Sequence, residues 1–282
     1  MPGFFPIASG SKGNASLLVS EETCLLIDAG VSAKRITQVL ASLGKTLAEV
    51  EGVIVTHEHH DHISGLTTLN KKWGIPIFSN VATAKGIYES LGFIPKCKIF
   101  STGEPFCYKD IEIDPFTISH DTADPVALLI QTCDKRLGIC TDLGFVSSLV
   151  EKKLRFCDVL YLEANHDPQL VEQSKRPSLY KVRVLGNQGH LSNAACGKLL
   201  ADVHHPGLEA VYLAHLSSEC NTGDLAMKTV ENLLGEKKRD LSLFIAHQDR
   251  ASSPFSFSRA EQMNGSSSRS PAQQTVESLV DC

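Results

Sequence analysis

The chain has 282 residues, 42% of them hydrophobic and 21% charged, which supplies a core for one large or two modest domains and excludes disorder throughout. No run approaches the roughly 18 apolar residues of a membrane span, and Met1 to Gly10 lacks the basic flank and long apolar stretch of a signal peptide. No membrane partner and a cytoplasmic location are therefore expected. A formal net charge of -5 excludes a protein that coats nucleic acid through net charge alone, so an anionic substrate must be held locally.

In chain order, β-rich runs come first: Phe4 to Ser9, Ala15 to Ser20, Thr23 to Asp28 and Gly52 to Thr56, the first two parted by the turn-forming Gly10 to Asn14. Helical periodicity covers Ser32 to Leu43, Ile63 to Trp73, Ala82 to Leu91, Leu143 to Lys153 and Asn193 to Val203, several preceded by a capping Ser, Thr, Asp or Asn. A second strand group runs through Ile111 to Ser119, Val126 to Thr132, Leu137 to Thr141 and Val159 to Glu163. It continues with Glu209 to Ala214, a helix near Asp224 to Leu234, and Leu241 to Ala246. Two strand-rich halves with interspersed helices predict a mixed α/β class of two stacked sheets flanked by helices. The composition changes at Arg250, where serines sit among Gly, Pro and Gln; residues 1–249 are read as one domain and 250–282 as a disordered tail.

The nine cysteines are scattered, odd in number and never spaced as C-x-x-C, so neither a disulfide framework nor a zinc ribbon is indicated. They read as reduced core residues.

The chemistry is concentrated in V-I-V-T-H-E-H-H-D-H-I-S-G, Val53 to Gly65. An apolar strand ends at Thr56 and delivers His57, His59, Asp61 and His62 before a helix expected near Ile63. His57 and His59 share a face only on extended backbone, since on a helix they would diverge by about 200 degrees. They can grip one ion together, while Asp61 and His62 turn toward a second point a few ångströms away, as in two-metal hydrolases. Imidazole and carboxylate without sulfur suit zinc, manganese or iron.

T-H-x-H-x-D-H after an apolar strand resembles the signature of the metallo-β-lactamase superfamily. Further strand-end residues match in the same order: Asp28 in C-L-L-I-D-A-G, His120 in T-I-S-H-D, Asp142 in I-C-T-D-L-G and His215 in V-Y-L-A-H-L-S. The resemblance spans about Gly3 to Gln248 and implies an αββα four-layer sandwich with the site along one edge between the sheets. It places His57, His59 and His120 on one divalent metal, Asp61, His62 and His215 on another, with Asp142 between. Asp28 would orient a histidine ligand. Two zinc or manganese ions are the implied cofactors, and metal-lowered water pKa supplies the nucleophile.

The interval from Asp142 to His215 is too short for the inserted domain of the β-CASP nucleases. It carries E-A-N-H-D at Glu163 to Asp167, a basic stretch with Lys175, Arg176, Lys181 and Arg183, and G-H-L-S-N at Gly189 to Asn193. Strand-end Glu163 followed by Gly-His-x-Ser resembles ribonuclease Z and its relatives. With G-S-x-G-N-A at Gly10 to Ala15, the set resembles the YycJ/WalJ group of 5′ to 3′ DNA exonucleases.

That resemblance implies a nucleic acid substrate, DNA rather than RNA. Asp61, His190 and Glu163 are the catalytic candidates, His190 as proton donor to the leaving oxygen and Glu163 as its holder. Lys181, Arg183, Ser192 and Asn193 are the candidate phosphate contacts, with Lys12 as a further one. Asn14 holds its turn, His166 orients its loop, and His60, His204, His205 and His247 carry no motif. Two other readings stay open: hydrolysis of a small cyclic phosphodiester or thioester, and a noncatalytic metal-binding scaffold.

Overall fold

The computed structural model describes residues 1–132 and 134–257. The first sheet contains β1 (Gly3–Ala8), β2 (Ala15–Val19), β3 (Cys24–Ile27), β4 (Gly52–Ile54), β5 (Ile77–Ser79) and β6 (Cys97–Ile99). The second contains β7 (Phe106–Tyr108), β8 (Ile111–Thr117), β9 (Val126–Gln131), β10 (Arg136–Cys140), β11 (Val159–Glu163), β12 (Ala210–Ala214) and β13 (Ser242–Ile245). A last strand, β14 (Phe255–Ser256), joins the outer edge of β1. The orders are β14-β1-β2-β3-β4-β5-β6 and β13-β12-β11-β10-β9-β8-β7.

The sheets face one another across an apolar layer that includes Phe4, Leu18, Ile54, Leu128, Tyr161 and Tyr212. Each outer face is covered by helices. On the first lie α1 (Ala33–Ser42), the single turn α2 (His60–Ile63), α3 (Leu66–Trp73) and α4 (Val81–Leu91), packed through Ile36, Leu40, Leu69 and Ile87. On the second lie α5 (Ser148–Leu154), α8 (Asn193–Val203) and α9 (Gly223–Leu234), with Val150, Leu199 and Val230 inward. Between the fifth and eighth helices, α6 (Pro168–Gln173) and α7 (Ser178–Leu185) form a cap with its own small cluster of Val171, Val184 and Cys220. The result is the αββα sandwich.

Strand direction explains where a site must fall. The strand β3 runs parallel to β4, and β10, β11 and β12 are mutually parallel, with Cys140 level with Leu162 and Glu163 level with Ala214. Their carboxyl ends lie along one edge of the sandwich, the place where open parallel sheets present side chains to ligands.

Four differences from the sequence reading have physical causes. The short β5, β6 and β7 escaped notice because three residues carry no periodicity. The first helical turn starts at His60, so Asp61 and His62 project from a helix, not from the loop before one. The helix expected from Leu143 starts only at Ser148, where the Ser147 hydroxyl accepts from Val150 N. Finally, the tail does not begin at Arg250. Tyr212 donates to Ser253 O at 2.7 Å, Phe255 and Ser256 pair with β1, and Phe257 is buried. The remainder of that stretch, 258–282, lies outside the described residues.

Candidate metal centre

Each site residue is delivered by a strand end or the turn after it. Past β4 the chain stays extended through His59, whose φ of -62° and ψ of 145° precede the helical turn. This puts His57 and His59 on one side, with ring centroids 4.9 Å apart. Three other residues leave their strands in a left-handed conformation: Asp28 (φ 58°), Asp142 (φ 60°) and His215 (φ 54°). Such backbone costs a non-glycine residue about 1–3 kcal/mol and collects where surrounding structure over-determines it. Gly30 is required for a different reason: a Cβ there would stand 1.5 Å from Asp61 O. That close approach lets Asn14 N donate to Asp61 O at 2.8 Å and Ala29 N to His62 O at 2.8 Å.

The seven residues expected as ligands come together. His57, His59 and His120 form one group whose donor atoms lie within 4.8 Å of one another, and Asp61, His62 and His215 form a second. Asp142 adjoins both, with Oδ2 3.3 Å from His62 Nε2 and Oδ1 3.3 Å from His215 Nδ1 and 3.8 Å from His120 Nε2.

Most of these rings are oriented by a partner on the nitrogen away from the centre. His62 Nδ1 lies 2.8 Å from Asp28 Oδ2, His120 Nδ1 3.1 Å from Gly189 O, and His215 Nδ1 2.9 Å from Glu163 Oε1. His59 turns the other way, with Nδ1 toward His120 and Nε2 3.4 Å from Asp121 Oδ1. Such partners fix tautomer and ring angle in histidine–metal sites. Asp28 also accepts from Thr56 N and the Thr56 hydroxyl.

The donor set fits a cation. The Thr56 hydroxyl gives its proton to Asp28, so it accepts from His57 Nδ1. His57 Nε2 is then a lone pair that is buried and has no hydrogen-bond partner, an arrangement that costs free energy unless a Lewis acid takes it. Asp142 Oδ2 is likewise buried without a hydrogen bond. Burial drives His57 well below the ordinary imidazole value, assisted by the neighbouring histidines, which keeps it in the neutral, ligating form. Oxygen and imidazole donors in this mixture suit a divalent cation.

Beside the centre, His190 Nδ1 lies 2.8 Å from Glu163 Oε1, the oxygen that also receives His215. Glu163 Oε2 accepts from Leu143 N at 2.8 Å and Leu191 N at 3.1 Å. Burial opposes ionisation of Glu163, but its contacts with His190 and His215 prevail and bring it to about 2. His190 is held, yet its side chain stays 20% exposed and borders the open cleft.

That cleft, about 490 Å³ in volume, is lined by His59, Asp61, Asp142 and His215 together with Lys12, Arg176, Tyr180 and Arg183. Three of the four expected phosphate contacts, Lys181, Ser192 and Asn193, do not line it. Lys181 Nζ is turned onto Glu172 O. Asn193 is 1% exposed and spends its amide on a reciprocal pair with Asn221, so it is closed to phosphate. Ser192 caps α8 by accepting from Ala195 N and lines an adjoining cavity. His166 is buried beside Asn165.

Sequence reasoning missed Asp121, whose signal was its place next to His120 in I-S-H-D, and Tyr180, which lies beneath Arg176 at 5.2 Å. It also missed Gln248, whose side chain accepts from Lys12 N and donates to Gly13 O, fixing the glycine-rich turn beside the cleft.

A model of the β-lactamase superfamily domain matches residues 23–216. The chain belongs to the metallo-β-lactamase superfamily. Within it, exodeoxyribonuclease YycJ of Bacillus anthracis is 34% identical over 236 residues, covering 83% of this chain and 89% of that protein. Exodeoxyribonuclease WalJ of Streptococcus pneumoniae serotype 2 is 33% identical over 234 residues, covering 82% and 87%. Among solved structures, the metallo-β-lactamase fold protein YhfI from Bacillus subtilis aligns with a TM-score of 0.67 at 18% identity, over 89% of this chain and 99% of its own, a likeness of fold. As a member of this hydrolytic superfamily with a His/Asp cluster suited to divalent cations, the chain is a metal-dependent hydrolase. No helix among the described residues is long and apolar enough to cross a membrane.

Proposed function

We propose that the chain is a two-metal phosphodiesterase that degrades DNA as a 5′ to 3′ exonuclease. The observation that carries this reading is the pair of ligand groups, His57/His59/His120 and Asp61/His62/His215, sharing Asp142. Zinc or manganese held there would supply Lewis acidity toward a phosphoryl oxygen and water ionised near neutral pH.

The protein's own residues then divide the remaining work. Asp61, at the cleft, faces His215 Nε2 at 3.4 Å and would hold one ion on the substrate side. Lys12 and Arg183 line the cleft and can meet backbone phosphates, contacts that position a strand without reading its sequence. His190, fixed through Nδ1 by Glu163, is placed to give a proton to the departing oxygen. The relatives named exodeoxyribonucleases over most of both chains support DNA as the substrate. Free thiols at the seven described cysteines accord with work in the reducing cytoplasm.

The test is a substrate panel with metal-loaded protein: end-labelled duplex DNA, single-stranded DNA, RNA and a chromogenic phosphodiester. Stepwise release of mononucleotides from the 5′ end of DNA is the expected result. Action on the chromogenic ester alone would overturn the assignment.

A further inference from the structure

His190 belongs to two cavities at once. On one side it lines the metal cleft with Asp61, Asp142 and His215. On the other it closes a cavity of about 380 Å³ between the loop after Asp142, the end of α7 and the first turns of α8. One wall is apolar, with Phe145, Leu185 and Leu199, while the rest is polar, with Ser192, His166, Lys198 and the carboxylates Glu151 and Asp202. Phe145 and Leu185 are 43% and 40% exposed, large apolar faces open to an occupant.

The cavity is preformed by the contacts that set the catalytic groups. Leu143 N and Leu191 N, in its two bounding loops, both donate to the carboxylate that holds His190. A Cβ on Gly144 would stand 2.1 Å from Asn187 O, and the Ser119 hydroxyl donates to that same carbonyl at 2.7 Å. These loops are locked together directly behind the imidazole.

We infer that this cavity receives the nucleoside of the departing fragment, its base against Phe145 and Leu185; the inference rests on the phosphodiesterase reading above. In hydrolysis, a water gives up one proton to solvent as its oxygen bonds to phosphorus, the phosphorus–oxygen bond to the leaving group breaks, and the departing oxygen takes a proton from His190. His190 can deliver that proton only to an oxygen on its own side of the phosphate. The sugar and base attached to that oxygen therefore lie past His190, where the cavity opens. Its volume is at the low end of the about 300–1,000 Å³ of small-molecule sites. That is room for one nucleoside and not for a duplex end, so the geometry favours removal of one terminal nucleotide at a time. The aromatic and aliphatic wall of Phe145 and Leu185 accepts any base, because every base presents a π face.

The test is equilibrium binding of dAMP, with inorganic phosphate as the parallel probe, to the metal-loaded full chain. Ala195, in the first turn of α8, lines the cavity; Ala195→Trp would fill it, and Phe145→Ala would remove its aromatic wall. Each variant is expected to weaken dAMP by roughly tenfold or more, in line with a lost stacking platform, with phosphate affinity and metal content unchanged. Phe145→Ala, a truncation at a half-exposed position, keeps the test open should the larger side chain impair folding. Wild-type affinity for dAMP in both variants overturns the proposal, as does a wild-type protein that binds dAMP no more tightly than phosphate. Tight, cavity-dependent dAMP binding by a protein that leaves DNA intact would sustain this assignment while removing the exonuclease reading.

Discussion

Glu163 receives His190 Nδ1 at 2.8 Å on Oε1, and the same oxygen receives the ligand His215 at 2.9 Å. One buried carboxylate thus orients both a candidate metal ligand and the proposed proton donor, while its other oxygen takes two backbone N–H groups. Glutamine has only one acceptor oxygen and would turn an NH₂ toward existing donors. Glu163→Gln should therefore destabilise the fold by about 1–3 kcal/mol per orphaned donor and lower turnover by roughly 10–100-fold. A thermal melt beside steady-state rates checks both, and wild-type behaviour in both would refute the shared-acceptor role.

His190 and His59 predict separable phenotypes. His190→Ala removes a proton donor without removing a ligand, so metal content should stay at the wild-type level while cleavage slows by roughly 10²–10⁴-fold. His59→Ala and Asp142→Ala remove donors from the centre and should abolish activity together with bound metal. Elemental analysis on each purified variant distinguishes the two classes.

Asp121 bridges the centre and the cap, with Oδ1 near His59 Nε2 at 3.4 Å and Oδ2 bound by Arg183 Nε of α7. Asp121→Asn should weaken metal affinity by roughly 10–100-fold, the usual effect of losing a partner to a ligating histidine. Arg183→Ala should leave metal affinity intact and raise KM for DNA. Chelator competition reads the first effect and initial rates the second; equal metal affinity in Asp121→Asn and wild type would exclude the bridging role.

Metal uptake should release protons. Burial disfavours the charged form of His215, but Asp142, Asp61 and Glu163 outweigh it and push its value up to about 10; His62 is raised well above the ordinary value, with Asp28 and Asp142 opposing burial. A raised value means that these rings carry protons at neutral pH, and ligation needs them neutral, so metal affinity must rise with pH through the neutral range. Titration with zinc or manganese in weakly buffered solution should show acidification, and chelator competition should show tighter binding at about pH 8 than at about pH 6. A pH-independent affinity would contradict it.

Gly30 is a test of backbone packing alone. Its missing Cβ is what permits the approach of Asp61 O, so Gly30→Ala should displace the Asp61 turn, cost about 1–3 kcal/mol through overpacking, and lower metal stoichiometry. Melting temperature and metal content measured on the same sample decide the point.

Much of the centre was legible in the chain because its ligands sit in local spacings that only extended backbone can use together, as with His57 and His59. His120, Asp142 and His215 were reached through the family resemblance, each matching a motif at the end of an apolar run, since a lone strand-end histidine or aspartate says little by itself. The partners that orient them were harder to read. Asp121 stands beside His120 in the chain, but its tie to Arg183 crosses 62 positions, Gln248 acts on a turn 235 positions away, and Asn193 at its helix start has its amide occupied by Asn221, 28 positions on. Lys181 shows the converse: a basic stretch that reads as one surface divides once α7 forms, Arg183 facing the cleft and Lys181 turning back to α6.

The short strand after Arg250 has a practical meaning for handling the protein. By clasping the free side of the N-terminal strand, it withholds a row of backbone donors and acceptors that would otherwise recruit a neighbouring molecule. Shortened versions prepared for crystallisation should end beyond Phe257, since trimming at the compositional break would unseal the sandwich and invite edge-to-edge association.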